Sequence, residues 1–564
     1  MNMFARWLPI VQWLPNYQRT HLRGDIIAGL TTGMVLIPQA MSYALLAGLP
    51  PIIGLYASIL PVVAYAVLGT SRHLAVGPAA MIALLVTSEV GKMAAGGTEL
   101  YITLAIFLAL MVGVIQLVMG VLQLGFITNF MSHPVISGFT SASAIIIAFS
   151  QLDHLLGIGL PRTESVTEII RLTVEQIGSI QLPTLIIGVG GILLVMAIKK
   201  IHPLLPGPMI AVILATIVVW MLRLDQHGVK IIADVPAGLP DFSVPEIKSE
   251  QLLSMLPTAL TISFMGFIGS IAVAQKIARE KRYEIDANKE LVGLGVANIV
   301  ASFFHAMPVA GGFSRTAVNN SAGANTGLSS LITAAVIAMA LMFLTPLLYF
   351  IPKAILGSII MLSVTSLVDL QHARHLWKVK KEDLVLLLLT FMATLIRGVE
   401  EGIFIGISAS ILWFVVKTTR PHYAILGRLP DSTDYRNVKR HQVETEKGIL
   451  ILRFDAQFYF GNVSFLKETI KQHLHNSDGV IYAVVVDACS INQLDSSADT
   501  ALHELIDESR LENIIFYFSY VKGPVMDVMR RSGFDRKVGE DHFFNNTHAA
   551  VLAARKQCEL EAGK

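Results

Sequence analysis

Charge is scarce in this chain. Lys, Arg, Asp and Glu make up only 15% of its 564 residues, where a soluble globular protein carries about a quarter. Cysteine is scarcer still. Cys489 and Cys558 are the only two, which excludes a disulfide framework and any cysteine-rich metal site. No Ser/His/Asp or metal-ligand cluster with usable spacing appears, so an enzyme reading has no support and no cofactor is expected. A net charge of +2 gives no reason to expect a nucleic acid or other polyanionic partner. The N-terminus has Trp7, Trp13 and scattered basic residues but no n-region, h-region and cleavage site, so no signal peptide is expected.

What the chain has is apolar length. Apolar residues are 53% of the sequence and the mean hydropathy is +0.61. A bilayer-spanning helix needs about 20 apolar residues. Long segments are expected near 26–46, 52–69, 100–124, 132–152, 181–199, 207–223, 254–278, 288–304, 327–350, 353–371, 382–397 and 399–417, with shorter ones near 78–91 and 314–324. Fourteen segments place both termini on one side. Basic residues recur in loops on that side, at Arg72, Lys199 and Lys200, Lys276 to Arg282, and Arg374 to Lys381. The opposite loop Ala47-Gly-Leu-Pro-Pro51 has none, although 153–180 carries Arg162 and Arg171. The positive-inside bias favours cytoplasmic termini.

Two apolar stretches are broken. One is Leu74-Ala-Val-Gly-Pro-Ala-Ala-Met81, and the other is Val309-Ala-Gly-Gly-Phe-Ser-Arg-Thr-Ala-Val318. The spacing from helix start to break is similar in both halves, which implies repeats of opposite topology meeting at the midplane. A half-helix that starts there offers unpaired N–H groups and a positive dipole end to an anion. Pro78 suits a first helical turn, which has no use for its missing N–H. Arg315 adds a fixed charge, and it has two readings. It belongs to an anion site, or it is a structural arginine on a backbone carbonyl. Gln39 and Tyr43, at i and i+4, share one helix face. They line a cavity or make helix–helix contacts.

Residues 1–24 are expected as a cytoplasmic segment, 25–418 as the membrane domain, 419–447 as a charged linker and 448–560 as a small soluble α/β domain. In that last region, strand signals at 448–453, 480–487 and 513–518 alternate with helix signals.

The run from Gln39 through Met-Ser-Tyr-Ala-Leu-Leu-Ala-Gly-Leu-Pro-Pro to Tyr56 resembles the signature of SulP anion transporters, which include plant sulfate transporters and animal pendrin and prestin. Asp286-Ala-Asn-Lys-Glu-Leu-Val-Gly-Leu-Gly295 and Gly312-Phe-Ser-Arg-Thr-Ala-Val318 resemble the second half of that family. The resemblance implies a polytopic membrane protein of 7+7 inverted repeats, divided into core and gate and moving like an elevator. It implies that an anion lies between the third and tenth helices, contacted by Gln39, Tyr43, Pro78, Ala79, Phe313, Ser314 and Arg315. Many members carry an acid in the eighth helix that serves proton or sodium coupling. Here Gly269 occupies that position, and no Asp or Glu occurs between Met255 and Ala278. Anion exchange is therefore expected, with sulfate the default and chloride, bicarbonate, nitrate and oxalate open. Proton- or sodium-coupled uptake of bicarbonate or a dicarboxylate is one rival, with His305 and His154 as candidate coupling groups. An anion-sensing membrane regulator is another.

The tail resembles a STAS domain. Leu494-Asp-Ser-Ser-Ala498 matches the loop in which soluble relatives are phosphorylated, which makes Ser496 and Ser497 candidate regulatory sites. Asp495 or Ser496 is also a natural N-cap. The resemblance further implies a homodimer in an inner or plasma membrane.

Overall fold

The computed structural model describes residues 8–562 apart from 16, 127–131, 161–164, 202–204, 234–235, 246–248, 366 and 476–479. Two compact units are present, Met1–Ser410 and Ile411–Lys564.

The first unit is a helical bundle. Among the described residues, eight helices of the chain are long and apolar enough to cross a membrane, and Gly207–Leu222 and Leu328–Phe343 are shorter apolar helices. The expected segment 52–69 divides into Pro51–Tyr56 and Leu60–Leu68, with Pro61 in the first turn of the second piece. Proline cannot donate within a helix but fits a helix start. The segment 353–371 ends at Thr365, and Leu370–Val379 is a separate helix capped by Asp369. The segment 327–350 divides at Leu344, where Pro346 opens the short helix Thr345–Leu348. The helix Val166–Glu175, with Ser165 as its cap, had no sequence expectation. Arg162, used in the charge-bias argument, lies outside the described residues.

The two halves meet closely. A Cβ on Gly113 would lie 2.6 Å from Ile299 N, and one on Gly295 would lie 2.6 Å from Leu117 N. Glycine is what lets Glu99–Val121 and Ala287–Phe303 touch backbone to backbone, as small residues do in membrane bundles.

A buried carboxylate holds the approach to the first break. Glu290 has 0% exposure. It accepts from Tyr65 Oη at 2.7 Å, from Thr70 N and Thr70 Oγ1 at 2.6 Å each, and from Ser71 N at 2.9 Å. Sequence reasoning missed this group, although a glutamate inside an apolar helix was the available signal. Removing it strands several buried donors at about 1–3 kcal/mol each. Glu290→Ala is expected to lower the thermal unfolding midpoint of the purified protein sharply, and Glu290→Gln to recover part of the loss. An unchanged midpoint in Glu290→Ala would sink this account of the loop.

The second unit is a six-stranded sheet in the order β4-β3-β5-β6-β7-β8. The strands are β3 (Tyr423–Arg428), β4 (Tyr435–Asn437), β5 (Ile449–Phe454), β6 (Ala483–Asp487), β7 (Ile515–Ser519) and β8 (Phe543–Phe544). β5 to β8 run parallel, while β3 is antiparallel to both of its neighbours. Side chains alternate between the faces, as strands require. Leu450, Leu452, Val484, Val486, Phe516 and Phe518 enter one core, while Ile449, Ile451, Val485 and Tyr517 enter another under the helix Thr547–Ala562. The stretch 419–447, expected as a linker, contains β3 and β4 and so is built into the sheet. Its charges disguise it, because β4 is an edge strand with polar side chains.

Helix Ser496–Leu511 begins at the expected loop. Asp495 is its N-cap, accepting from Ala498 N at 2.8 Å and from Phe460 N at 2.9 Å. Ser496 and Ser497 are exposed in the first turn. Cys489 is free and partly buried, and burial together with its hydrogen bond to Asp487 pushes the thiol up from its ordinary value.

Candidate anion site

The two interrupted stretches meet. Val76–Gly77 (β1) and Ala310–Gly311 (β2) pair antiparallel, with Val76 opposite Gly311 and Gly77 opposite Ala310. Each extended piece leads into a short helix, Ala80–Met93 after β1 and Phe313–Ser321 after β2. Neither helix start has a side-chain cap. The first N–H groups of both helices are therefore left to whatever occupies the space between them, and both dipoles favour a negative occupant.

Side chains from several helices hold the crossing in place. Gly311 N donates to Ser270 Oγ at 2.8 Å, and Ala75 N donates to Thr316 Oγ1 at 3.1 Å. Gly312 N donates to Ala75 O at 3.0 Å. Asn298 grips Val309 from both sides, donating Nδ2 to its carbonyl at 3.0 Å and accepting its N–H at 2.7 Å. Asn319, buried in the second half-helix, donates to His73 O at 2.9 Å.

Between the half-helices lies a cavity of about 80 Å³. Six of the seven expected binding residues line it: Gln39, Tyr43, Ala79, Phe313, Ser314 and Arg315. Gly269 lines it too. Sequence reasoning missed Met265 and Gly266 on the eighth helix and Ser363, Val364 and Leu367 from the region of the twelfth, which complete the wall. Nothing local marks these residues, because only tertiary packing brings them here.

Pro78 is the exception. The helix starts at Ala80 with Ala79 as its cap, so Pro78 precedes the first turn instead of occupying it. Its contribution is a carbonyl, which accepts from Arg315 Nη1 at 2.5 Å.

Arg315 is 2% exposed. Both readings of it hold in part. Its Nη groups are anchored on the carbonyls of Pro78 and Ala310, as a structural arginine would be. Its Nε is buried with no hydrogen-bond partner, and so is Gln39 Oε1 in the same cavity wall. A carboxamide turned by half a revolution presents its NH2 instead. Neutral carbonyls leave the guanidinium charge uncompensated, and among the described residues no Asp or Glu lines the cavity. An arginine at membrane depth costs roughly 2.5–3.5 kcal/mol on insertion scales, and an anionic occupant offsets that cost.

Gly312 is required by this arrangement. A Cβ there would lie 2.7 Å from Arg315 Cζ and Nη2. Overpacking of this kind costs about 1–3 kcal/mol. Gly312→Ala is expected to displace the guanidinium and raise the KM for the transported anion severalfold. An unaltered KM would mean that Arg315 does not set affinity.

The histidines weighed as coupling groups are elsewhere. His154 lines a separate cavity of about 450 Å³, with its Nδ1 at 3.6 Å from Asp153. His305 is not among the residues around the anion cavity.

Two half-helices thus start on either side of a cavity whose wall holds Arg315 and, among the described residues, no carboxylate. Residues 22–390 match the sulfate permease family and residues 440–550 match the STAS domain. The chain belongs to the sulfate permease family, which is a family of transporters, not of enzymes. Sulfate transporter 4.1, chloroplastic, of Arabidopsis thaliana is 38% identical over 96% of this chain and 82% of its own length. A probable sulfate transporter of Mycobacterium tuberculosis is 34% identical over 98% of this chain and 99% of its own. The fold matches murine Solute Carrier 26 family member A9, solved in an inward-facing state, with a TM-score of 0.91 at 23% identity over 99% of this chain and 95% of that one. It also matches the transmembrane domain of the cyanobacterial bicarbonate transporter BicA, with a TM-score of 0.60 at 23% identity over 70% of this chain and 98% of that one.

Proposed function

We propose that this anion transporter carries sulfate by exchange for another inorganic anion. The observation that carries the reading is the cavity between two uncapped half-helix starts, charged by Arg315 and free of carboxylates. A site of helix dipoles and one guanidinium selects by charge and size, and about 80 Å³ favours a small inorganic anion over a dicarboxylate. The names of the relatives point to sulfate. Titration of a membrane carboxylate is the simplest proton coupling, and the eighth helix offers none at Gly269. Exchange is the economical alternative.

In this reading the half-helices ride on a core that moves past a gate, as the family resemblance implies. The protein works as a homodimer in an inner or plasma membrane with both termini in the cytoplasm. A phosphate on exposed Ser496 or Ser497 would lie at the positive end of a helix, where added negative charge is stabilised. Mass spectrometry of protein from native membranes tests that point. Substrate identity is tested by counterflow. Proteoliposomes loaded with unlabelled sulfate should accumulate labelled sulfate transiently, and external succinate should not compete. No counterflow, or full competition by succinate, would remove sulfate as the substrate.

A further inference from the structure

The cytosolic unit holds a second basic cavity, of about 470 Å³. Its wall includes Arg436, Arg440, His441, His422 and Arg453, with Asp455 as the one carboxylate. These groups come together for local reasons. Asn437 ends β4 and organises the turn after it. Its side chain accepts from Lys439 N at 2.8 Å, and its carbonyl accepts from Arg440 N at 3.0 Å and His441 N at 3.1 Å. The turn brings Arg440 and His441 beside Arg436.

A cluster of surface cations is ordinarily a solvated face balanced by neighbouring acids. Here three of the nearby acids, Glu444, Glu446 and Asp455, are committed to other cations. Glu444 pairs with Arg428 at 2.7 Å, and Glu446 pairs with Arg555 at 2.6 Å. Asp455 is taken by Arg453 Nε at 2.6 Å and His422 Nδ1 at 2.8 Å. Burial opposes its ionisation, but those two hydrogen bonds prevail and hold its carboxyl below the ordinary range. Asp455 thus balances Arg453, while Arg436 and Arg440 make no ion pair among the described residues.

Position adds a second observation. His422 is three residues beyond Thr419, the end of the last apolar helix, a tether of at most about 11 Å. Basic groups so close to a membrane exit meet the phosphates of anionic lipids, and paired guanidinium groups suit phosphate oxygens.

We infer that Arg436 and Arg440, with His441, form a phosphate-binding site on the cytosolic unit, distinct from the transport cavity. The phosphate comes either from an anionic lipid headgroup or from a soluble phosphate. The site does not depend on which anion is transported.

Hydrogen exchange of the full chain in nanodiscs tests this, with the segment 434–442 as the reporter. One arm adds inorganic phosphate to phosphatidylcholine nanodiscs against a chloride control of equal ionic strength. The other replaces a quarter of the phosphatidylcholine with phosphatidylglycerol. A ligand at ten times its Kd slows exchange through local opening about tenfold. Protection in the first arm alone assigns soluble phosphate, and protection in the second assigns the lipid. In either case Arg436→Gln/Arg440→Gln should abolish the effect, while exchange in β5 to β7 stays unchanged and reports an intact fold. If the core exchange does change, Arg440→Gln alone replaces the double variant. No protection in either arm, or equal protection in the variant, overturns the site.

Discussion

Arg315→Gln is expected to lower labelled-sulfate uptake into proteoliposomes by one to two orders of magnitude. Among the described residues the guanidinium is the only fixed charge in the cavity wall, and a hydrogen bond to a charged group is worth about 1.5–3 kcal/mol. Part of the effect could arise through structure, because Arg315 also joins the two broken segments by way of the Pro78 carbonyl. Two readouts separate these contributions. The thermal midpoint reports the structural part. Sulfate protection against unfolding reports the binding part, and that protection should vanish in Arg315→Gln. Arg315→Lys should keep some binding, since the charge remains while the planar fork is lost. Near-normal uptake by Arg315→Gln would reduce the arginine to a brace between the half-helices.

Gly269→Glu is expected to change how transport responds to pH. The position lines the cavity, and a Cβ there meets only Phe313 Cε2, at 3.6 Å. A side chain therefore starts in ordinary contact, and its carboxylate shares the cavity with the anion. Two like charges about 5 Å apart repel by about 3 kcal/mol at an effective dielectric of about 20. The ionised variant should take up sulfate at least tenfold more slowly than the parent. Protonation removes the repulsion, so its uptake should rise as pH falls, while the parent stays flat. A variant equally slow at every pH would point to bulk instead of charge, and Gly269→Gln supplies the uncharged comparison.

Much of the site was legible because each break carries its own local marks. Glycines, a proline and an arginine interrupt apolar runs at 74–81 and 309–318, and the structure pairs those two stretches as β1 and β2. The place of Pro78 was not legible. Proline favours a helix start in general, but here Arg315, from the other half of the chain, uses its carbonyl. Ser363 and Leu367 belong to the wall through packing alone. Glu290 was visible as a glutamate in an apolar helix, yet its partners Tyr65 and Thr70 are more than two hundred positions away. The second unit shows the same division. The alternation of β5 gives its two cores directly, whereas β4 on the sheet edge reads as linker because a polar edge strand lacks an apolar pattern.

In the proposed function the anion site couples to another anion and not to a proton. The most direct test is labelled-sulfate uptake into proteoliposomes under an opposed chloride or bicarbonate gradient, and then under a pH gradient alone. Uptake driven by the trans anion and indifferent to the pH gradient is the predicted result. Uptake that follows the pH gradient without a trans anion would contradict exchange and require a proton carrier outside the cavity around Gly269.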